Sequence, residues 1–239
     1  HTKRFNLLPM AVVLKMQINP NLFLRDPAET KLGRNIIDHS IRLIDEIGFE
    51  EFTFKKLAAV IQSTEASVYR YFENKHKLLV YIVSWYWEWV KYKIDVQTLN
   101  LHNPQDKLRV VINVLIESSV EDPATPYINE TLLHRIVVSE ATKTYHIKQV
   151  DAENKEGFFL PYKSLCNKIA RIISEIRPGF PYPHALASNL VEMANHHIYF
   201  ARHLPSLTDV RVSDTDYSQV QNLLTFFSFG LLQHQQPGS

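Results

Sequence analysis

The sequence predicts an all-α fold, and three observations support this prediction. The apolar fraction is 45% and only six of the 239 residues are glycine. Apolar residues recur every three to four positions along most of the chain, and no alternating run of strand length competes with them. So few glycines leave few tight turns, which disfavours an all-β or dinucleotide-binding α/β fold. The apolar content and the balance of 26 basic against 25 acidic residues exclude a disordered chain.

Local start and stop signals place the helices in order. Asp26-Pro27-Ala28-Glu29 supplies an N-cap acceptor and a proline for the first helical position, so a helix is expected to begin there and to end at Gly48. Asn103-Pro104 and Thr125-Pro126 indicate two further helix starts by the same logic. Apolar stripes that begin at Phe158, Leu186 and Val220 predict the remaining long helices.

Residues 76–97 predict a helix of a different kind. Its polar residues fall on one narrow stripe, and nearly all the others are apolar or aromatic. A helix that is apolar around most of its circumference must be covered on several sides. We therefore expect a central helix that connects the first helices to the rest of the chain.

Residues 53–75 predict a helix-turn-helix. Thr53 can cap a short helix that runs to about Val60, Gln62-Ser63 form a break, and Thr64 can cap a second helix that runs to Phe72. Residues 52–77 carry five basic residues against two acidic ones, a balance that suits a phosphate backbone. With Val68 and Phe72 facing inward, the second helix would expose Glu65, Ala66, Ser67, Tyr69, Arg70 and Tyr71. The hydroxyls, the arginine and the helix N-terminus would offer donors to phosphates and base edges.

The block Gly48–Leu79 resembles the DNA-binding domain of TetR-family transcriptional regulators. The resemblance rests on Thr53, Leu57-Ala58, Thr64, Ala66, Val68-Tyr69, Tyr71-Phe72, Asn74-Lys75 and Leu78-Leu79. Two departures are visible. Gln62 stands where the family has a glycine, so the turn is expected to close without a positive φ, and Tyr71 stands where histidine is usual.

The resemblance implies how the domain would bind double-stranded operator DNA. Thr64 and Ser67 would approach phosphates or bases, and Glu65, Ala66 and Arg70 would read base edges. Tyr69 and Tyr71 would contact the DNA backbone, and Lys75 would contact a phosphate. The full set of implied DNA-binding residues is Thr53, Lys55, Thr64, Glu65, Ala66, Ser67, Tyr69, Arg70, Tyr71 and Lys75.

The same resemblance implies a division of the chain. Residues 26–76 would form the three-helix DNA-binding domain, and residues 77–239 a helical domain for effector binding and dimerisation. Residues 1–25 are expected to be an N-terminal arm or an upstream or tag remnant. The last two long helices, about 184–204 and 216–232, would pair with those of a second protomer. Candidates for that interface are Leu190, His197, Val220, Leu223 and Phe227.

Aromatic residues of the second domain are candidates for an effector pocket. They are Trp85, Trp89, Tyr127 and Tyr162, with His197 as a polar partner. Packing in the core is the alternative for the tryptophans. No metal is expected, because the adjacent His196 and His197 point about 100° apart on a helix and cannot easily share an ion.

The expected function is therefore that of a cytoplasmic, homodimeric transcriptional regulator, a repressor released from its operator by an unknown small molecule. A DNA-binding protein that responds to no ligand is the alternative. A helical enzyme is disfavoured, because the sequence has no nucleophile elbow, phosphate loop or zinc-protease motif. No cofactor and no membrane association are expected.

Overall fold

A computed structural model of the chain describes residues 16–117 and 127–233. Within those ranges the chain forms α-helices, short 3-10 turns and connecting loops, without strands. No helix there has both the length and the apolar character that crossing a bilayer requires. The helices are α1 Lys31–Glu51, α2 Phe54–Val60, α3 Glu65–Tyr69, α4 Lys75–Thr98, α5 Pro104–Ile116, α6 Glu130–Glu140, α7 Val150–Lys155, α8 Leu160–Ile176, α9 Pro183–His203 and α10 Ser218–Gln233.

Most of the expected helix starts are confirmed by their caps. The hydroxyls of Thr53 and Thr64 accept the backbone N–H groups of Lys56 and Ser67 at the starts of α2 and α3. Asn103 accepts the N–H of Gln105 at the start of α5. These side chains satisfy donors that a helix N-terminus leaves unpaired. The expected start at Thr125-Pro126 lies outside the described residues.

The first long helix begins later than expected. Asp26 caps only a 3-10 turn, Pro27–Glu29, and Thr30 then caps α1 by accepting the N–H of Gly33. The turn folds back against α1 so closely that a Cβ on Gly33 would lie 2.3 Å from the carbonyl oxygen of Pro27. The helical backbone is interrupted at the expected end, Gly48, which has a non-helical φ of 77°. One further helical turn follows, up to Glu51.

Helix α4 is the central element of the fold. Fourteen of its 24 residues are buried, and it packs against α5, α6 and α8. The helix-turn-helix precedes α4 directly, so the buried helix connects that motif to the second half of the chain. The two halves also meet between α1 and α6, where Arg135 forms two hydrogen bonds of 2.8 and 2.7 Å with the carboxylate of Asp45.

Residues 19–25, called the strap below, lie across the junction of the two halves. Leu22 is fully buried against Val80 of α4 and Phe158, which lies just before α8. The side chain of Asn19 donates to the carbonyl of Glu156 at 2.7 Å, and the N–H of Leu24 donates to the carbonyl of Tyr71 at 2.8 Å. The N-terminal segment, which sequence reasoning left aside as an arm or remnant, therefore contributes packed residues to the fold.

The turn between α2 and α3 does not close as expected. Gln62 has a φ of 52°, in the left-handed region that glycine adopts without a steric cost. Ser63 then donates its N–H to the carbonyl of Ala58 at 2.9 Å, which closes the turn. The geometry of the turn is therefore kept although the glycine is absent, and the strain falls on one exposed glutamine.

We expect Gln62→Gly to stabilise the protein. The left-handed conformation costs a side-chain-bearing residue roughly 1–2 kcal/mol, and the extra freedom of an unfolded glycine offsets roughly 0.5–1 kcal/mol of this. The net gain should be about 0.5–1 kcal/mol in the free energy of unfolding, measured by urea denaturation. Gln62→Val, which is β-branched, should lower that free energy. Equal stability of the two variants would contradict a strained turn.

His134 of α6 is a buried titratable group. Its ring stacks on the ring of Tyr86, with the two ring centroids 6.0 Å apart. Its Nε2 atom has no hydrogen-bond partner within the described part of the chain. Burial, with a smaller contribution from the charges of Arg202 and Lys93, lowers the pKa of His134 from 6.5 to about 4. The folded protein therefore holds this imidazole neutral at pH values at which an unfolded chain would protonate it.

We expect stability to fall on acidification between pH 6.5 and 4, the two pKa values of His134. In that window the unfolded state binds one more proton at His134 than the folded state, so the free energy of unfolding decreases as the pH decreases. The loss should approach about 3 kcal/mol at the acid end, at roughly 1.36 kcal/mol per pKa unit. His134→Phe keeps a ring but removes the proton, and should flatten this part of a pH series of urea denaturations. An unchanged slope in the variant would assign the acid sensitivity to other groups.

Candidate nucleic-acid interface

Helices α2 and α3 form a helix-turn-helix around a small apolar centre. Leu57 and Ala58 of α2 are buried, as is Val68 of α3. Phe54 packs edge-on against Tyr69 at 5.0 Å between ring centroids, which fixes the angle between the two helices. Val68 and Phe72 are buried as expected from the sequence, but α3 ends at Tyr69 rather than at the expected Phe72, which lies in the loop that follows. The opposite face of α3 is left to solvent.

The outer face of α3 carries the polar groups expected to contact DNA. Thr64, Glu65, Ala66, Tyr69 and Arg70 are exposed on α3 and its ends. Ser67 is half-buried, and its hydroxyl lies 2.9 Å from that of Thr64. Thr53 and Lys55 are exposed at the start of α2, so both ends of the motif offer donors to solvent. DNA contacts by these residues remain predictions.

Arg70 is the cation best placed to bind an external anion. It is exposed at the C-cap of α3, and its guanidinium forms no hydrogen bond or ion pair with any other described residue. Lys55 is likewise exposed and unpaired within that part of the chain. An unpaired guanidinium can bind a phosphate or a guanine edge through two parallel hydrogen bonds without first breaking an internal contact. Glu65 lies at the other end of α3 and leaves the field there less favourable to phosphate.

Tyr71 is not available for DNA. Only 2% of its surface is exposed, and its hydroxyl lies 2.7 Å from that of Thr30. Its ring lies beneath the guanidinium of Arg25 at 5.6 Å. The expected backbone contact by Tyr71 is therefore corrected: this residue joins the end of α3 to the segment that precedes α1.

Lys75 is also occupied inside the protein. Its ammonium group donates to the carbonyls of Phe49, Glu50 and Phe52 at 3.0, 2.9 and 3.1 Å. These carbonyls lie at the end of α1, and a cation is favoured at this negative end of the helix dipole. All three N–H donors of the ammonium group are used by these carbonyls. The expected phosphate contact by Lys75 is therefore corrected: this residue caps the C-terminal end of α1.

The two tryptophans that were candidates for an effector pocket pack in the core. Trp85 and Trp89 are almost fully buried and stack on each other with centroids 6.4 Å apart. The ammonium of Lys93 lies 4.6 Å from the centroid of the Trp89 ring. Trp85 and Trp89 therefore pack in the core, which was the alternative to a place in the effector pocket.

Tyr162 lies beside a small enclosed space in the second half of the chain. A cavity of about 10 Å³ is lined by α4, the start of α8 and the loop at Thr144 and Tyr145. Such a volume is close to the minimum for one water molecule. The hydroxyls of Tyr145 and Tyr162 both donate to the same oxygen of Glu192, at 2.7 and 2.8 Å. Burial and this carboxylate raise the pKa of both phenols.

The remaining effector candidates lie apart from that cavity. The Nδ1 atom of His197 on α9 is 2.8 Å from the hydroxyl oxygen of Thr208. Burial lowers the pKa of His197. Tyr127 is half-buried at the start of the second described range. Sequence reasoning therefore placed five residues in one pocket, whereas the described structure does not bring them together.

The outer face of α10 carries exposed apolar side chains. Phe226, Phe227 and Leu231 are 75%, 43% and 48% exposed. A groove of about 440 Å³ runs beside them between Phe180, Leu186 and Phe227. Of the expected interface residues, Phe227 lies on this face, and Leu223 and His197 are half-buried. Leu190 and Val220 are fully buried within the protomer, so they pack the core and cannot contact a partner.

Sequence reasoning missed the residues that hold the end of α3. They are Leu24 and Arg25 of the strap and Thr30 before α1. The apolar run Leu22–Leu24 just before a helix cap was the available signal, because an arm bound only to solvent has no need of three large apolar residues.

Comparison with known proteins agrees with the fold and the motif. Residues 36–82 match the family model of bacterial regulatory proteins of the tetR family. No curated protein sequence is similar enough to this chain to count as a relative. The matched residues run from α1 through the first third of α4 and include the whole helix-turn-helix.

Solved structures extend the likeness to most of the chain. AibR, in complex with isovaleryl coenzyme A and operator DNA, is 18% identical, with a TM-score of 0.55 over 81% of this chain and 97% of that one. PfmR, a TetR-family regulator from Thermus thermophilus, is 14% identical, with a TM-score of 0.53 over 84% of this chain and 98% of that one. The superantigen PfiT is 13% identical, with a TM-score of 0.56 over 88% of this chain and all of that one.

Identities this low show the fold alone, and the PfiT match illustrates that one fold serves different functions. The likeness to the tetR family of bacterial regulatory proteins rests on residues 36–82, which include the whole helix-turn-helix. The all-helical remainder of the described chain has the fold of the solved structures named above.

Proposed function

We propose that this protein represses transcription as a homodimer and releases its operator when a small molecule binds the second domain. The observation that carries the proposal is the exposed outer face of α3, with Arg70 unpaired at its end among the described residues. In this arrangement α3 lies in the major groove, and the two copies read half-sites related by a dyad and spaced near one helical turn or a multiple of it. The protein would then act in the cytoplasm, where a bacterial chromosome lies.

The exposed apolar face of α10, with the groove beside it that α9 lines, supports the dimer. Phe226 and Phe227 are adjacent on α10, and both expose large rings to solvent. Contiguous exposed apolar surface of this kind marks interaction sites in soluble proteins. The same surface on a second copy is the natural cover, because a two-fold interface buries one patch against itself.

The effector part of the proposal rests on the second domain and on AibR. The AibR structure holds both isovaleryl coenzyme A and operator DNA, so a ligand and an operator occur together on this fold. In this chain the space between α4 and α8 is about 10 Å³, so any effector must open the site before it can occupy it. The same closed cavity favours a second candidate function, that of a DNA-binding protein without a ligand.

Fluorescence anisotropy on the DNA upstream of its own gene tests the proposal. Saturable binding that resists scrambled competitor DNA supports an operator-specific regulator, and binding equal to that of scrambled DNA counts against it. The same complex then serves to screen isovaleryl coenzyme A and other small organic molecules for release. A ligand that releases DNA and raises the melting temperature supports the repressor, whereas failure of the whole screen favours the ligand-independent alternative.

We expect Arg70→Ala to weaken operator binding by about tenfold or more at fixed salt. Loss of a side chain that contacts a base or phosphate costs roughly 1–3 kcal/mol, and each dimer loses two copies. Lys91→Ala is the matched control, because Lys91 is a cation on α4 that pairs with Asp95 and lies outside the motif. An equal loss from both variants would indicate a general charge effect and would contradict this position of α3.

We expect Phe227→Glu to convert the dimer into a monomer. A carboxylate on an apolar two-fold interface is desolvated without a partner and is repelled by its own copy. Light scattering after size exclusion should change from about twice the chain mass of 27.8 kDa to the chain mass itself. Val96→Glu, on an exposed residue of α4, is the control and should leave the mass unchanged. An unchanged mass for Phe227→Glu would place the interface elsewhere.

A further inference from the structure

Helix α3 is too short to hold its own position. It contains five residues, Glu65–Tyr69, and an isolated helix of this length is unstable in water. At its N-terminus Thr64 provides a cap. At its C-terminus the chain leaves the helix at Arg70 and Tyr71. The orientation of α3 therefore depends on what holds Tyr71, in addition to the packing of Tyr69 on Phe54.

Three groups from one segment hold Tyr71. The N–H of Leu24 donates to the carbonyl of Tyr71 at 2.8 Å, and the guanidinium of Arg25 lies 5.6 Å from the centre of the Tyr71 ring. The hydroxyl of Thr30 lies 2.7 Å from the hydroxyl of Tyr71. Two of these residues belong to the strap. The backbone and the side chain of Tyr71 are thus both held from the N-terminal side.

The other end of the strap is fixed in the second domain. Leu22 is fully buried between Val80 and Phe158, and Asn19 donates to the carbonyl of Glu156. Lys77 at the start of α4 donates to the carbonyl of Asn21 at 3.1 Å. Phe158 also lines the small cavity between α4 and α8. One continuous stretch, residues 19–25, therefore contacts the wall of that cavity and the end of α3.

We propose that the strap is a positioning element for DNA recognition, which sets the orientation of α3 and conveys to it the position of Phe158. The second part of the proposal rests on the repressor proposed above. A ligand that opens the cavity on the side of Phe158, one of its lining residues, displaces that ring. Leu22 then moves with Phe158 because both are packed in the same apolar cluster. The displaced strap then pulls on Tyr71 through Leu24. This path runs outside α4, which is rigidly packed over most of its length.

The variant Leu24→Pro tests the positioning role. Proline removes the N–H that donates to Tyr71, and the extended backbone of Phe23, with φ of −139° and ψ of 154°, tolerates a following proline. Leu24→Ala is the matched control, because it keeps the N–H and removes only a side chain that is 60% exposed. We expect amide hydrogen exchange across 65–72 to be about fivefold faster in Leu24→Pro than in Leu24→Ala, as for the loss of one ordinary hydrogen bond. Operator affinity should fall by a similar factor.

Equal exchange in the two Leu24 variants would overturn the positioning role. Exchange is measured without DNA, so this result stands even if the wild-type protein proves to bind no operator. Amides of α9 serve as the reference for global opening, and acceleration there equal to that in α3 would also overturn the proposal.

Phe158→Ala tests the transmission. In the Leu24→Ala background it should speed exchange across 65–72, and in the Leu24→Pro background it should add nothing, because the connection to Tyr71 is already broken. Equal acceleration in both backgrounds would show that the signal bypasses the strap. If Phe158→Ala does not fold, Asn19→Ala takes its place, since it removes the hydrogen bond to the carbonyl of Glu156 together with the bond that the side chain of Asn19 accepts from the N–H of Asn21 within the strap.

Discussion

The burial of α4 is the constraint on which the other features depend. This helix packs against α5, α6 and α8 and carries aromatic rings on more than one side. Such a helix cannot turn or slide without opening the core, because protein interiors are packed as densely as organic crystals. The stacking of Trp85 on Trp89 is an example of this dense packing, because two rings that could line a ligand site instead fill the space between helices.

Because α4 is held so firmly, the N-terminal motif has to be oriented by smaller contacts around it. Arg135 on α6 pairs with Asp45 on α1, and Lys75 closes the end of α1 by binding three carbonyls. Gly33 allows the turn at Pro27 to lie directly on α1, and that turn leads the chain from the strap into the motif. Each contact joins separate segments of the chain, so the motif is built from tertiary interactions as much as from its own helices.

The features that the sequence predicted correctly are those that local chemistry decides. Threonine and asparagine caps mark the starts of α2, α3 and α5, and the apolar period predicts which face of each long helix is buried. The outer face of α3 follows from the same period once Val68 is placed inside. The expected helix-turn-helix and the all-α class needed no more than this information.

The features that the sequence did not predict depend on partners far away in the chain. Nothing near Tyr71 or Lys75 indicates that Thr30 and the end of α1 will engage them. The left-handed Gln62 results from the closure of the turn, which outweighs the local preference of a glutamine. Leu190 and Val220 lie on the expected helices, but a periodic pattern does not distinguish a face buried in the protomer from one buried between protomers.

The strap also determines when, during synthesis, the DNA-binding motif can be completed. The side chain of Asn19 bonds to a carbonyl 137 residues later in the sequence. At roughly 5–20 residues per second, a ribosome needs on the order of 7–27 s to make that stretch. Through this interval the strap can contact Tyr71 through Leu24 but lacks its attachment to Glu156. In a nascent chain the strap is therefore held at both ends, and the support of α3 is complete, only when the residues just before α8 have emerged.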